Sequence, residues 1–231
     1  MKSKNLILHE TSNVVVIATG IERATQNRKT GDMIQIWILH PEIAPGVLVK
    51  SGLDVSTICK GCIFASGKGC YVDVSKAPAS VFRAYKKGSY KRATESDLEE
   101  AFSFRKVRFG AYGNPSLIPL PLVEKIASYA KGFTGYFHDW HLMTPKRAKA
   151  YGKYFMASTD TDKSLAKAEK LGLRTFHVSA RPNSKAIECP NTTHHVACAQ
   201  CLLCSGTSKK AKSIYIAPHG TKKKHVINQT K

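Results

Sequence analysis

Residues 154–178 read YFMASTDTDKSLAKAEKLGLRTFHV, and this run decides the fold class. Tyr154 to Ser158 is short, apolar and closed by polar residues, the pattern of a buried strand. Thr161 to Leu171 then places Leu165, Ala168 and Leu171 on one helical stripe, with Asp160 or Thr161 as N-cap and Gly172 as the stop. Leu173 to Val178 is apolar again. Strand, helix, strand in this order implies two parallel strands joined by a right-handed crossover.

The same rhythm extends in both directions. Met33 to Leu39, Lys106 to Tyr112, Phe133 to Phe137 and Ser213 to Ala217 read as further strands, making six, and Ala77 to Lys87 and Pro119 to Lys131 read as helices. The expected fold is α/β, a six-stranded parallel partial (β/α) barrel with cysteine-rich metal-binding loops; a doubly wound sheet stays open beside it. Residues 27–220 form the expected single barrel-like domain. Residues 1–26 are set apart as an N-terminal extension and 221–231 as a basic tail.

Composition narrows the partners. Among 231 residues, 36 Lys and Arg stand against 16 Asp and Glu, a surplus of +20 that favours an anionic partner, nucleic acid (DNA or RNA) or a nucleotide-like substrate. A membrane partner is not expected, because the early apolar run Val14 to Ala18 is far shorter than a span or a signal core. The seven cysteines are odd in number and closely clustered, which argues for metal in a reducing compartment, the cytoplasm, rather than for a disulfide framework.

In the first cluster, Cys59-x2-Cys62-x7-Cys70, glycines at 61, 67 and 69 let the loop turn three sulfurs towards one point. The second is Cys189-Pro190 followed by Cys198-x2-Cys201-x2-Cys204, a spacing used for iron-sulfur ligation. A [4Fe-4S] cluster in one or both is the leading expectation. Zinc is the alternative metal, with His194 or His195 completing a site of fewer thiolates. Arg83, Lys86, Lys87, Tyr90, Lys91 and Arg92 interleave aromatics with cations, as a strand-binding surface does, although a solvated helix end has the same composition. His138 and His141 suggest a metal or a nicking site, against which plain hydrogen bonding stands, and Tyr151 and Tyr154 suggest nicking tyrosines, against which packing is the plainer reading.

The order of motifs resembles the radical S-adenosylmethionine partial barrel: a strand, a three-cysteine loop ending in Cys70-Tyr71, then Gly110-Ala-Tyr-Gly113-Asn114-Pro115, then Ser158 and Asp160 at a strand end. More closely, Asn27-Arg-Lys29-Thr30, the CKGC loop, the Cys-Pro with CAQCLLC and Ile216-Ala-Pro-His219-Gly220 resemble a family of bacteriophage- and prophage-borne three-cysteine proteins. The superfamily resemblance implies that Cys59, Cys62 and Cys70 hold a [4Fe-4S] cluster. It implies that Gly110, Gly113, Asn114 and Pro115 meet the methionine amine of S-adenosylmethionine, and that Ser158 and Asp160 lie near its ribose. The loop spacing is x2 then x7 rather than x3 then x2, and Asn114 stands where an acidic residue is common, so the cluster and the radical reaction are separate expectations. Three functions follow: a radical S-adenosylmethionine-like iron-sulfur enzyme acting on nucleic acid or a nucleotide, a non-catalytic metal-stapled nucleic-acid-binding phage protein, and, more weakly, a phage DNA replication initiator.

Overall fold

The computed structural model describes residues 4–23, 25, 27–220 and 222–229. Among these, eleven strands form two sheets. The first contains β1 (Leu6–Glu10), β2 (Val15–Thr19), β3 (Ile34–Leu39), β4 (Lys91–Arg92), β5 (Lys106–Tyr112) and β6 (Gly132–Thr134), in the order β4-β1-β2-β3-β5-β6. The second contains β7 (Tyr136–Phe137), β8 (Met156–Thr159), β9 (Thr175–Val178), β10 (Ile187–Glu188) and β11 (Ile214–Ile216), in the order β10-β11-β9-β8-β7. The chain is therefore α/β, with a mixed sheet and a parallel sheet.

All six expected strands are present, and they pair in chain order: β3 with β5, β5 with β6, β7 with β8, β8 with β9, and β9 with β11, each parallel. Two features correct the expectation of one all-parallel sheet. First, the run expected as one strand, Phe133 to Phe137, is divided between the sheets at Gly135. The Gly135 N–H donates to the Cys204 carbonyl at 2.8 Å, and the Gly135 carbonyl accepts from Met156 at 3.0 Å, so neither group continues the β5–β6 ladder. Second, β1 and β2 run antiparallel to each other, and β2 runs antiparallel to β3. The turn at 11–14, closed by Thr11 N–H to the Val14 carbonyl at 2.8 Å, is too short for a crossover and so reverses the chain. Leu6–Glu10 and Val15–Thr19 of the segment set apart as an extension thus belong to the sheet, and Val15, Val16, Ile17 and Ala18 are fully buried. Met1, Lys2, Ser3, Ala24 and Gln26 of that segment, and Thr221, Thr230 and Lys231 of the tail, lie outside the described residues.

The helices are α1 (Pro45–Ser51), α2 (Ala77–Lys86), α3 (Glu95–Phe102), α4 (Leu120–Tyr129), α5 (Pro145–Gly152) and α6 (Asp162–Lys170), then the single turns α7 (Pro190–Thr193) and α8 (Cys198–Cys201), and α9 (Lys223–Gln229). Thr161 caps α6, its hydroxyl accepting from Ser164 N–H at 3.1 Å. α6 packs on β8 and β9, and its Ala168 joins Ala157 in the larger core. No described helix is long and apolar enough to cross a membrane.

Register fixes what the opposite sheet face carries. Gln35, Arg108 and Thr134 are aligned across β3, β5 and β6. Tyr136 aligns with Met156, Ser158 with Phe176, and Phe176 with Ile214. Met156, Phe176, Ile214 and Ile216 form a second, smaller apolar cluster against which Tyr136, Cys189 and Cys204 pack.

Candidate metal centres

The seven cysteines fall into two spatial groups, divided as in the sequence. In the first, Asp54 is buried and organises the loop: its carboxylate accepts from Ser66 N–H at 2.7 Å and Ser66 Oγ at 2.6 Å, and its carbonyl accepts from Cys59 N–H at 2.7 Å. Cys62 N–H donates to the Cys59 carbonyl at 3.1 Å, and Cys70 N–H to the Phe64 carbonyl at 2.9 Å, which folds the seven-residue spacer back. Two strand ends hold this loop. Asn114, after β5, donates from its N–H to the Ile58 carbonyl at 2.8 Å and from its side-chain amide to the Lys60 carbonyl at 3.2 Å. After β7, the backbone of Asp139 lies against Gly61, where a methyl group would come within 2.7 Å of the Asp139 Cα.

Burial pushes the Cys59 thiol well above its usual range, with the charges of Cys62 and Cys70 adding to the effect. Burial also raises Cys62 to about 11, with a further push from Asp160, and raises Cys70, which feels Cys62. The charges of both Asp160 and Asp54 reach Cys62, and Asp160 Oδ1 accepts from Ser164 Oγ at 3.2 Å.

The second group is built on β10, α7 and α8. Cys189 N–H donates to the Tyr215 carbonyl at 2.9 Å. The N–H groups of Cys198 and Ala199, orphaned at the start of α8, donate to the carbonyls of Lys29 at 3.0 Å and Thr30 at 2.8 Å. The Asn191 side-chain amide also reaches the Lys29 carbonyl, at 3.3 Å. The Asn27–Thr30 motif is thus a dock for the second cysteine segment. Arg174, buried, gathers the segment behind Cys204: its guanidinium donates to the carbonyls of Ser205, Gly206 (3.2 Å), Leu203 (3.1 Å) and Lys212 (2.5 Å). Burial raises the thiols of Cys204 and Cys198; Cys204 feels Cys189, Cys198 and Cys201, whereas the Arg108 charge draws Cys198 back down.

Within each group the thiols are neighbours rather than a closed ligand set. Among the described residues, no three Cys, His, Asp or Glu side chains are gathered tightly enough to hold a metal ion. The donor chemistry nonetheless suits a soft metal: the thiols are half-buried, and desolvation opposes ionisation of Cys59, Cys62, Cys70, Cys198 and Cys204 until a cation arrives.

The glycine motif has structural work of its own. Gly113 has φ +80°, and a side chain there would meet the Ile38 carbonyl oxygen at 2.5 Å. Asn114, Pro115 and Ser116 are buried, and Ser116 Oγ donates to Asp139 Oδ1 at 2.7 Å. Gly110, at φ +72°, packs on Pro115. Ser158 is buried with its carbonyl accepting from Trp140 Nε1 at 2.8 Å.

The basic stretch is largely neutralised. Lys86 pairs with Glu42 at 2.8 Å, Lys91 with Asp97 at 2.6 Å and Arg92 with Glu10 at 2.6 Å. Arg83 reaches Ser80, Lys87 is the exposed C-cap of α2, and Tyr90 packs against the core. Tyr151 and Tyr154 are core residues, and Tyr151 Oη donates to the Ile118 carbonyl at 2.9 Å. His138 faces inward, its ring edge-on to Tyr136, whereas His141 is exposed. Arg108, Tyr71 as a side chain, and Tyr136 belong to no sequence motif; an arginine between the buried Val107 and Phe109 is the one local signal among them.

Compared with protein-family models, with curated proteins and with solved structures, the chain matches none.

Proposed function

We propose that the chain is an iron-sulfur protein resembling radical S-adenosylmethionine enzymes and acting on nucleic acid or a nucleotide. In this reading the six parallel strands, hinged at Gly135, are the arc of a partial barrel, and the face bearing Arg108, Tyr136 and Ser158 is its interior. The observation that carries it is the separation of the cysteines into a group of three, held at strand ends by Asn114 and Asp139, and a group of four, held by Lys29, Thr30 and Arg174. Cys59, Cys62 and Cys70 would hold one cluster, and Cys189, Cys198, Cys201 and Cys204 the other. A cluster with three protein ligands has an open iron and would supply the electron that cleaves S-adenosylmethionine. Within the protein, Asn114 would fix the loop and Asp160 would set the charge beside Cys62. The phage relationship and a host cytoplasm belong to this reading.

A second reading, a non-catalytic nucleic-acid-binding protein whose metals only staple loops, is favoured by one observation. Gly113 and Asn114 are taken up by contacts with Ile38, Ile58 and Lys60 and are not held open for a ligand. In both readings the +20 surplus draws the partner.

Iron, sulfide and zinc per chain, measured with the visible spectrum of protein prepared without oxygen, separate the two. Iron and sulfide at about four or eight per chain support the first reading, and 5'-deoxyadenosine formed with reductant and S-adenosylmethionine completes it. About one or two zincs and no iron replace it with the second, whose signature is nucleic-acid affinity falling steeply with salt and indifferent to S-adenosylmethionine.

A further inference from the structure

Two segments distant in the chain meet at the C-terminal end of α5, and their charges are all of one sign. Residues 140–159 contain no Asp or Glu, and neither do residues 189–213. The buried side of α5 carries Ala148, Tyr151 and Gly152. Lys146, Lys149 and the C-cap Lys153, spaced by three and four residues, therefore form a stripe on the opposite side, and all three are exposed. Arg147 and Lys153 lie over the rings of Tyr151 and Tyr154, at 5.7 and 5.4 Å from the centroids, which holds these two cations against the helix.

The carbonyls where α5 ends have no partner within the helix, and segment 206–208 supplies one to each. Gly206 N–H donates to the Tyr154 carbonyl at 2.9 Å, Thr207 N–H to that of Gly152 at 2.9 Å and Ser208 N–H to that of Lys153 at 3.0 Å. A side chain at Gly206 would collide with the Gly152 carbonyl, so the close approach needs glycine. Arg174 ties down the far end of the segment, donating to the Lys212 carbonyl at 2.5 Å as well as to that of Gly206 at 3.2 Å. The Lys209 ammonium is engaged by the Leu202 carbonyl at 3.1 Å, whereas Lys210 and Lys212 are exposed. Among the described residues, none of Lys146, Arg147, Lys149, Lys153, Lys210 and Lys212 pairs with an acid, whereas Lys86, Lys91 and Arg92 each do. Glu124 borders this surface, its carboxylate accepting from Tyr154 Oη at 3.5 Å.

We propose that α5 and segment 206–212 together form the surface that receives the phosphate backbone of a nucleic acid. Several unpaired cations along one face release condensed counterions together when a polyanion lies across them. A protein or a lipid surface would take up apolar side chains, and none of the large exposed apolar side chains lies within 145–153 or 206–212. A second copy of the chain would set cations against cations. The rings on this side, Tyr151 and Tyr154, are buried and offer bases no stacking platform, so the contacts go to phosphate and carry no sequence preference. The inference rests on reading nucleic acid as the partner and names the surface that meets it; it does not depend on which metal the cysteines hold.

The test is fluorescence anisotropy of a labelled DNA duplex of mixed sequence, titrated with the anaerobically prepared full chain across a salt series. Vesicles of anionic phospholipid are run in parallel. Wild type should bind the duplex with log affinity falling linearly against log salt. Lys146→Gln with Lys149→Gln, and Lys210→Gln with Lys212→Gln, should each weaken the duplex at least about fivefold and lower the salt slope by about two. All four replaced together should lower it by about four, as one continuous surface requires. Lys86→Gln with Lys91→Gln removes as much charge where both cations are already paired, and should change the slope by less than about half a unit. A slope unchanged in either pair, or lowered as much by Lys86→Gln with Lys91→Gln, overturns this surface and leaves the nucleic-acid partner standing. Wild type that binds no duplex, or binds the vesicles in its place, overturns the nucleic-acid partner and the surface with it.

Discussion

The Asn114 side-chain amide donates to the carbonyl of Lys60 at 3.2 Å, tying the end of a sheet strand to the turn between the first two cysteines. Its backbone N–H holds the Ile58 carbonyl at the same time, so one buried residue fixes the approach to Cys59 and the turn to Cys62. Asn114→Ala removes the bond to Lys60 and leaves the Ser116 and His138 N–H groups without the Asn114 Oδ1 acceptor, at a cost of about 1–3 kcal/mol. The expected result is a lower unfolding midpoint and loss of metal from the three-cysteine group alone. Unchanged metal content and midpoint would show that this bond does not position the loop.

Independence of the two groups has a direct test. Cys59→Ser removes one thiol from the first, and nothing in the docking of the second, through Lys29, Thr30, Gly135 and Arg174, involves that loop. Metal at the first group should fall while the second retains its content. If both metals vanish together, the two-centre picture fails.

What the sequence made legible was local. Buried strands such as Ile34–Leu39 and the capped helix α6 carry their signal in a few adjacent residues, and both form where expected. The break at Gly135 was not legible, because it depends on the carbonyl of Cys204, distant in the chain. The pairing of β1 with β2 is not legible either, because Val14 to Ala18 is a short apolar run whose antiparallel partner is set by the turn at 11–14. The cysteine grouping was readable from spacing; the Asn27–Thr30 dock and the Arg108 neighbourhood were not, since each joins segments that sequence alone leaves apart.

Gly113 gives a test of structure against ligand binding. Alanine there meets backbone and Cβ of Ile38 at 2.5 and 2.7 Å and must hold φ near +80°. Neither neighbour is a flexible side-chain end, so Gly113→Ala should destabilise the chain by about 2–4 kcal/mol. Denaturant unfolding measures it. A stable variant that only fails to respond to S-adenosylmethionine would assign the glycine to ligand binding instead.

His138 makes stability depend on pH. Burial pushes its imidazole down from 6.5 to about 4, while the charges of Asp160 and Asp139 oppose this. The folded protein therefore keeps the ring neutral where the unfolded chain binds a proton, so His138 lowers stability as pH falls from about 6.5 to about 4 and contributes no slope outside that window. The difference is worth on the order of 3 kcal/mol at its largest. Carboxylates titrate over the same range and thiolate-bound metal is released by acid, so the wild-type curve alone is not diagnostic. The diagnostic quantity is the difference between wild type and His138→Gln at matched metal content, measured by denaturant unfolding at pH 7 and pH 5. Wild type should lose more stability than the variant between those values. Parallel losses would mean that the ring is hydrated in the folded state and that the inner face beside Tyr136 is wetter than the packing implies.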